Sequence, residues 1–251
     1  MGGNLENLNF KKYGMKIKLS NITALIGPES SGKTTIFKLL SNKVNNETVY
    51  LDRKKLNDYN IDFLRKNVMC VFDIEDFNSE YVKEELGFYL KKIKDTESNI
   101  SAKISNITHY FHIEDIIDVK ICNLTVEEKC LIKVLSYLIV SPLILGVDNL
   151  FSYISMDSTE LVIKYAKEHN IALIYTCTDV EKLKFADDIH IINKFKSIRF
   201  GNYNEIFKDK IIKELGLEIP FLKELNEYLK DYELIDRDFS SINEGVNALW
   251  K

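Results

Sequence analysis

The stretch NITALIGPESSGKTTIFKLL, residues 21–40, decides the fold of this chain. Gly27, Gly32, Lys33 and Thr34 stand at the spacing G-x-x-x-x-G-K-[ST], which is the pattern of a phosphate-binding loop. Glycines let the backbone wrap a phosphate chain with its N–H groups pointing inward, and the lysine adds a positive charge at the outer phosphates. The pattern predicts a binding set that runs over Gly27, Pro28, Glu29, Ser30, Ser31, Gly32, Lys33, Thr34 and Thr35.

The flanks of this loop agree with the motif. Residues 22–26 form a short apolar run typical of a buried strand, and residues 35–40 place apolar side chains at helical spacing. A helix that begins near Gly32 points the positive end of its dipole at a bound anion. A chance match in a surface loop would lack this strand and this helix. The sequence therefore predicts a site for a nucleoside triphosphate, with the Thr34 hydroxyl as a magnesium ligand.

Composition limits the classes of protein that need to be considered. The chain has 251 residues, 45% of them hydrophobic, which suits one large domain or one domain with a subdomain. A net charge of −4 gives no sign of a nucleic-acid surface. The first residues are too polar for a signal peptide, and Lys133 and Pro142 interrupt the most apolar region, residues 131–147. The four cysteines lack metal-type spacing and are interpreted as buried thiols, so we expect a soluble cytoplasmic protein.

Strand-like and helix-like segments alternate along the chain. Residues 81–129 lack β-branched runs and repeat apolar residues at a spacing of three and four, which predicts a helical insertion. Helices are also expected beyond Gly201, to the end of the chain. Alternation of this kind predicts an α/β fold of the P-loop NTPase type, with ligands at the carboxyl ends of its strands. We predict a β-hairpin at 9–19, strands at 47–52 (a sheet edge), 68–72, 143–147, 171–175, 189–192 and 197–200, a short helix or turn at 61–67 and a helix at 158–168.

Asp148 is the second position with predicted chemistry. It follows the apolar run 143–147 directly, and a carboxylate at that place in a P-loop sheet holds magnesium. The alternative is an aspartate that caps a helix. The P-loop already present in the chain favours the magnesium site.

The order of these parts resembles an ATP-binding-cassette (ABC) ATPase, and most closely the energy-coupling-factor (ECF) type. Four further stretches carry the resemblance. Residues 64–90 resemble the Q-loop region, and residues 104–129 resemble the helix before the signature. Residues 189–207 resemble the strand pair that ends in G-x-x-x-E-I-F, and residues 215–229 resemble the ECF tail.

The resemblance implies a single ABC-type domain over residues 1–251 that binds ATP and Mg²⁺. Its core would be residues 1–75 and 140–203, with a helical subdomain at 76–139 and a C-terminal helical tail at 204–251. The implied partners are a second ABC ATPase subunit, in a homo- or heterodimer, and a transmembrane subunit docked near the helical subdomain. Such a protein lies on the inner face of the cell membrane through its partners. Aromatic residues that either fill this docking groove or pack in the core are Phe77, Tyr81, Phe88 and Tyr89.

The sequence departs from this family at the catalytic positions. The family glutamate that follows the magnesium aspartate is Asn149 here, and the switch histidine is Thr178. An amide can hold water but cannot accept its proton, and losing a general base lowers a rate by about 10²- to 10⁴-fold. The Q-loop glutamine is replaced by Asp73, an acid that can still reach magnesium. Ser155 stands near the usual aspartate of the D-loop.

The family signature L-S-G-G-Q is altered as well. This chain has Leu124, Thr125, Val126, Glu127 and Glu128 in its place. Two glycines that admit a γ-phosphate across a dimer interface are thereby lost. A carboxylate 4 Å from a phosphate is repelled by roughly 4 kcal/mol at an effective dielectric of about 20. In the alternative interpretation, Glu127 and Glu128 cap the helix that starts here.

Two functions of different class are consistent with these departures. The first is an Mg-ATP-binding subunit of an ECF-like importer that hydrolyses ATP weakly or not at all and works beside an active ATPase. The second is a stand-alone ATP-binding regulatory or scaffold protein with no role in transport. An ATPase that remains active with substitute residues is a variant of the first.

Three aromatic or histidine positions have further possible roles. Tyr13 or Phe10 would stack on adenine if this chain follows the family, although the segment from Tyr13 to Gly27 is shorter than usual. His109 and His112 have a spacing that suits a metal ion on a helix. A packed or solvent-facing helix is the other interpretation of that pair, and we favour it.

Overall fold

The computed structural model describes residues 5–41, 48–72, 77–208, 210–235, 237–239 and 241–249. Within these ranges the chain forms ten strands and ten α-helices, numbered here in chain order. The strands are β1 (Asn7–Phe10), β2 (Met15–Lys18), β3 (Thr23–Ile26), β4 (Val49–Leu51), β5 (Lys54–Lys55), β6 (Val68–Val71), β7 (Ile144–Val147), β8 (Ala172–Thr176), β9 (Asp188–Asn193) and β10 (Lys196–Gly201). The helices are α1 (Lys33–Leu40), α2 (Ile61–Asn67), α3 (Val82–Lys92), α4 (Glu97–Phe111), α5 (Val126–Leu138), α6 (Met156–Glu168), α7 (Tyr203–Ile206), α8 (Ile211–Glu214), α9 (Phe221–Asp231) and α10 (Ile242–Leu249).

A six-stranded sheet in the order β10-β9-β3-β8-β7-β6 forms the centre of the molecule. All its neighbours are parallel except β10, which runs antiparallel to β9. Every residue of β3, β7 and β8 is buried, as expected of parallel strands covered on both faces. Because parallel strands end at the same edge, the loops after β3, β7 and β8 meet there.

The predicted α/β fold of the P-loop NTPase type is confirmed. Helix α2 occupies the predicted residues 61–67, and the buried strands lie within one or two residues of their predicted bounds. The predicted insertion is helical, with α3, α4 and α5 between β6 and β7, and helices α7 to α10 follow β10. A buried ion pair between Glu85 and Lys133, 3.6 Å apart, joins α3 to α5.

A second, antiparallel sheet has the order β2-β1-β4-β5. It contains the predicted hairpin, in which Phe10 lies opposite Met15. The prediction of an edge strand at 47–52 is wrong for the described part of that segment. Strand β4 pairs with β1 on one side and with the two-residue β5 on the other, so β5 is the edge. A two-residue strand carries too little pattern to be predicted.

The interpretation of the cysteines as buried thiols is wrong at one position. Cys70 and Cys130 are buried and Cys177 is half-buried, but Cys122 is exposed in a turn before α5. Within the described part of the chain, every helix is too short or too polar to cross a bilayer.

A buried histidine makes the stability of the sheet depend on pH. His190 in β9 is 4% exposed, and its Nδ1 lies 2.8 Å from the Ser197 hydroxyl. Burial lowers the pKa of His190 to about 4, against a weaker opposing attraction from Asp188. The unfolded chain therefore takes up the proton first as the pH falls below about 6.5, and the stability present at neutral pH is lost between that pH and 4.

We expect the wild type to lose about 2 kcal/mol of unfolding free energy through His190 between pH 7 and pH 5. Urea unfolding at the two pH values measures this loss. His190→Gln keeps a hydrogen-bonding side chain that does not titrate, so its loss should be smaller by that amount. Equal losses in the two proteins would contradict the assignment.

Candidate nucleotide-binding site

The phosphate loop connects β3 to α1 at the carboxyl edge of the central sheet. Gly27 has a φ of 150°, and a Cβ atom built on it would lie 2.0 Å from the carbonyl oxygen of Ile192. Gly32 has a φ of 104° and precedes the first turn of α1. Ser30 also has a left-handed backbone, with a φ of 56°. The two glycines are therefore required by backbone geometry and by close packing, as the motif predicts.

The ammonium group of Lys33 lies across the loop. Its Nζ donates to the carbonyl oxygens of Gly27 at 2.6 Å and Pro28 at 2.8 Å, and lies 3.3 Å from the Ser31 hydroxyl. Burial lowers the pKa of Lys33, while the carboxylates of Asp148 and Glu29 act in the opposite direction. The structure thus brings the predicted lysine and the predicted magnesium carboxylate into electrostatic contact.

The expectation that Tyr13 or Phe10 stacks on adenine is wrong. Tyr13 is 1% exposed, and its hydroxyl donates to the carbonyl oxygen of Gly32 at 3.1 Å. Phe10 is fully buried and packs edge-on against Tyr13. Tyr13 therefore packs against the loop, supports it through Gly32 and presents no exposed ring face to a base.

Asp148 follows β7, and a hydroxyl group fixes its carboxylate. The Thr176 hydroxyl donates to Asp148 Oδ1 at 2.7 Å and accepts from the Asn149 backbone N–H at 2.8 Å. Thr176 is the last residue of β8, the neighbouring strand. The sequence analysis did not identify Thr176 as a partner of Asp148, although a hydroxyl residue at the end of a buried strand could have indicated it.

Asn149 and Thr178 are joined through a third residue, Ser152. The Ser152 hydroxyl donates to Asn149 Oδ1 at 2.6 Å and accepts from the Thr178 backbone N–H at 2.9 Å. Asn149 holds a left-handed backbone with a φ of 63°, a conformation that asparagine tolerates better than most residues. The amide oxygen of Asn149 is therefore already engaged as an acceptor within its own loop.

A buried lysine stabilises the loops after β7 and β8. Lys182 is 4% exposed and donates to the carbonyl oxygens of Phe151 at 2.7 Å and Ile154 at 2.6 Å. Its Nζ also lies 3.3 Å from a carboxylate oxygen of Asp179. The loops after β7 and β8 are thus held together by one cation as well as by Ser152. No sequence motif pointed to Lys182.

A family model described as "ABC transporter" matches residues 10–152, which is more than half of the chain. The chain belongs to the ABC transporter family. Among its relatives, the energy-coupling factor transporter ATP-binding protein EcfA1 of Staphylococcus aureus is 25% identical over 232 residues, 89% of this chain and 86% of the relative.

Solved ABC structures share the fold. That of cbiO1 from Clostridium perfringens, part of the ABC transporter complex cbiONQ, has a TM-score of 0.70 and 23% identity, and the match covers 89% of this chain and 96% of that one. A nucleotide-free ATP-binding cassette from an ABC transporter has a TM-score of 0.69 and 17% identity, and the match covers 85% and 99% of the two chains. At these identities the likeness establishes the cassette fold.

The signature-like segment of this ABC chain opens α5 with a capping box. Thr125 Oγ1 accepts from the Glu128 N–H at 3.2 Å, and Glu128 Oε2 accepts from the Thr125 N–H at 2.8 Å. The capping interpretation is therefore confirmed for Glu128. Val126 is 53% exposed at the first position of the helix, and Leu124 before it is buried.

Glu127 makes a different contact from the one predicted. Its Oε1 accepts from the backbone N–H of Ser155 at 2.8 Å. Ser155 is the N-cap of α6, and its own hydroxyl accepts from the Ser158 N–H. Glu127 therefore places a carboxylate at the positive end of α6 and links the signature-like segment to the position of the D-loop.

Two remaining predictions concern metal ligands. Asp73 lies outside the described residues. His109 is exposed, and its Nδ1 lies 3.1 Å from a carboxylate oxygen of Glu114. His112 is exposed as well, so the two histidines are interpreted as part of a solvent-facing helix end.

Proposed function

We propose that this chain is an ATP-binding subunit of an ECF-type ABC transporter that binds Mg-ATP, hydrolyses it weakly or not at all, and works beside an active partner ATPase. One observation carries the proposal. A complete phosphate loop lies beside an Asn149–Ser152–Thr178 network at the positions where the family has its catalytic glutamate and its switch histidine. The relatives named as ECF transporter ATP-binding proteins support the type of transporter.

The residues at the loop fit a magnesium–triphosphate ligand. The glycines leave a cradle that a side chain would fill, and the Lys33 ammonium is the nearby positive charge. The Thr34 hydroxyl and the Asp148 carboxylate are the hard oxygen ligands that Mg²⁺ prefers. When bound there, the metal offsets the charge of the outer phosphates. The Lys33 side chain and the N–H groups at the start of α1 orient the phosphate chain.

Weak hydrolysis follows from what the chain offers an attacking water. The Asn149 amide cannot take its proton, and the amide oxygen already accepts a hydrogen bond from Ser152. Thr178 contributes a hydroxyl without charge, and its backbone N–H is bound by the same serine. Neither position supplies the general base on which the rate depends.

An active partner is proposed because a dimer of this chain alone would be deficient at both sites. In the ABC family each ATP lies between the P-loop of one subunit and the signature of the other. Val126 exposes its side chain where the family has a glycine, and the Glu127 carboxylate follows it. A phosphate on a partner subunit would therefore meet a crowded and negatively charged segment.

The proposed membrane partner docks beside the helical segment. A groove between the start of α5 and the segment before α3 is lined by the partly buried ring of Phe77, the side chain of Ile121 and the exposed Cys122. Tyr89 packs against Tyr137, so it belongs to the core and not to the groove. A transmembrane subunit bound here would hold the chain on the inner face of the membrane.

The alternative is an ATP-binding scaffold without a transport role, and one experiment separates the two. The tagged chain is purified from detergent-solubilised membranes of its native cells, and the same preparation is assayed for ATP binding and hydrolysis. We expect an integral membrane protein and a second ABC subunit to co-purify, with ATP bound by this chain and with hydrolysis that requires the partner. A chain that stays in the soluble fraction and binds ATP without either partner would favour the scaffold.

A further inference from the structure

We propose that Phe195, in the turn between β9 and β10, is the platform on which the base of the bound nucleotide stacks. The inference rests on the proposed binding of ATP at the phosphate loop and adds the residue that contacts the base. Phe195 takes the stacking role that was expected of Tyr13 or Phe10, whose rings are buried.

The turn that carries Phe195 is attached to the phosphate loop. The backbone N–H of Phe195 donates to the carbonyl oxygen of Ser31 at 2.9 Å. Strand β9 runs parallel to β3, with Ile191 opposite Ile26, so the end of β9 reaches the start of the loop. The position of Phe195 is therefore fixed relative to the residues that hold the phosphates.

The ring of Phe195 lies directly against Gly32. A Cβ atom built on Gly32 would be 2.6 Å from Cδ1 of Phe195, so the ring occupies the space that a side chain there would need. The Tyr13 ring packs behind it, with the two centroids 6.2 Å apart and the planes tilted by 58°. Phe195 is nevertheless 42% exposed, so part of the ring faces solvent at the edge of the loop.

A positive charge stands beside the same ring. The Lys12 ammonium is 5.9 Å from the centroid of Phe195, within the range of a cation–π contact. An aromatic surface next to a cation is the combination that proteins use to bind a base and the charged chain attached to it. Tyr13 and Gly32 hold the ring in place before any ligand arrives.

The backbone of Phe195 is the second observation that points to a ligand. Its φ is 61°, and that of Lys194 is 45°. Glycine and asparagine favour this left-handed region, and a bulky aromatic residue there is an outlier. Among the described residues with positive φ, Phe195 is the one that carries a phenyl ring. Strain of this kind persists where a side chain is needed at a particular place.

Stacking on a phenyl ring is tolerant of the base, because every base has a π face. The platform therefore favours nucleotides over inorganic phosphates without selecting adenine over guanine. The affinity for nucleotides, compared with the affinity for an inorganic phosphate chain, therefore separates base stacking from phosphate binding by the loop.

Phe195→Gly tests the platform, because it removes the ring and relaxes the backbone at a positive φ, so the variant should fold. Binding of ATP, GTP and inorganic tripolyphosphate is measured by calorimetry with magnesium present. We expect about tenfold weaker binding of both nucleotides and unchanged binding of tripolyphosphate. Ile198→Ala is the matched control, because Ile198 is 41% exposed on the same hairpin.

Unchanged or tighter nucleotide binding in Phe195→Gly would overturn the inference while leaving ATP binding intact. Wild type that binds neither ATP nor tripolyphosphate would overturn the proposed function as well. A second measurement uses Phe195→Trp in a Trp250→Phe background, since Trp250 is the single tryptophan of the chain. Its fluorescence should be quenched by ATP and unaffected by tripolyphosphate, and no response to ATP would contradict stacking.

Discussion

Replacing Lys33 by alanine is expected to lower the affinity of the chain for Mg-ATP about 100-fold, because hydrogen bonds from charged groups contribute up to about 3 kcal/mol each. The Lys33 ammonium is half-buried beside two loop carbonyl oxygens, where an anion is only partly screened by water. Its removal leaves the backbone N–H groups of the loop as the remaining contacts. Titration calorimetry with ATP and magnesium measures the change.

Lys38→Ala provides the matched control for this variant. Lys38 lies on the same helix α1, in its last turn, and its side chain is exposed. It should bind ATP as the wild type does. Equal affinities for ATP in wild type and Lys33→Ala, with both proteins folded, would contradict the assignment of the site to this loop.

The double substitution Asn149→Glu with Thr178→His is expected to raise ATP hydrolysis at this chain's own site about 100-fold over the wild type, assayed beside a partner ATPase whose own hydrolysis has been abolished. The glutamate restores a proton acceptor, and the histidine restores a side chain that can donate to the outer phosphate. Thr178 is changed as well, because the Ser152 hydroxyl bonds both to the Asn149 amide and to the Thr178 backbone N–H, so the two positions belong to one network. Phosphate release at saturating ATP measures the rate.

Asn149→Gln with Thr178→His is the control for this experiment. Glutamine has the length of glutamate but cannot accept a proton, so its rate should stay near that of the wild type. If the two double variants hydrolyse ATP equally fast, proton acceptance at position 149 is not the missing step. A rate that remains at the wild-type level in both would contradict the prediction that the side chain at position 149 limits hydrolysis.

The phosphate loop, the buried strands and the order of the helices follow from the sequence because each depends on local spacing. Helix α2 shows this well, since its apolar and charged residues and its N-cap Asn60 lie within a few positions of one another. Asp148 could be predicted for the same reason, because it directly follows a buried strand.

The contacts that the sequence did not reveal join segments that are distant along the chain. Lys182 bonds to carbonyl oxygens about thirty residues away, and no local pattern marks a lysine for burial. Tyr13 carried a family expectation that the structure reverses, because its ring is buried and its hydroxyl donates to Gly32, a residue nineteen positions away. No sequence pattern marks the left-handed backbone of Phe195, so its place in the turn beside the loop is known only from the structure.

The hydrogen bond between Glu127 and the Ser155 N–H has a consequence for motion within the chain. It joins the first turn of α5 to the first turn of α6, and so connects the signature-like segment to the segment that follows Asp148. The contacts run on from Ser155 to Ile154, whose carbonyl oxygen accepts from the buried ammonium of Lys182. Because these bonds are continuous, we expect the two helix starts and the loop that carries Lys182 to move together when one of them is displaced.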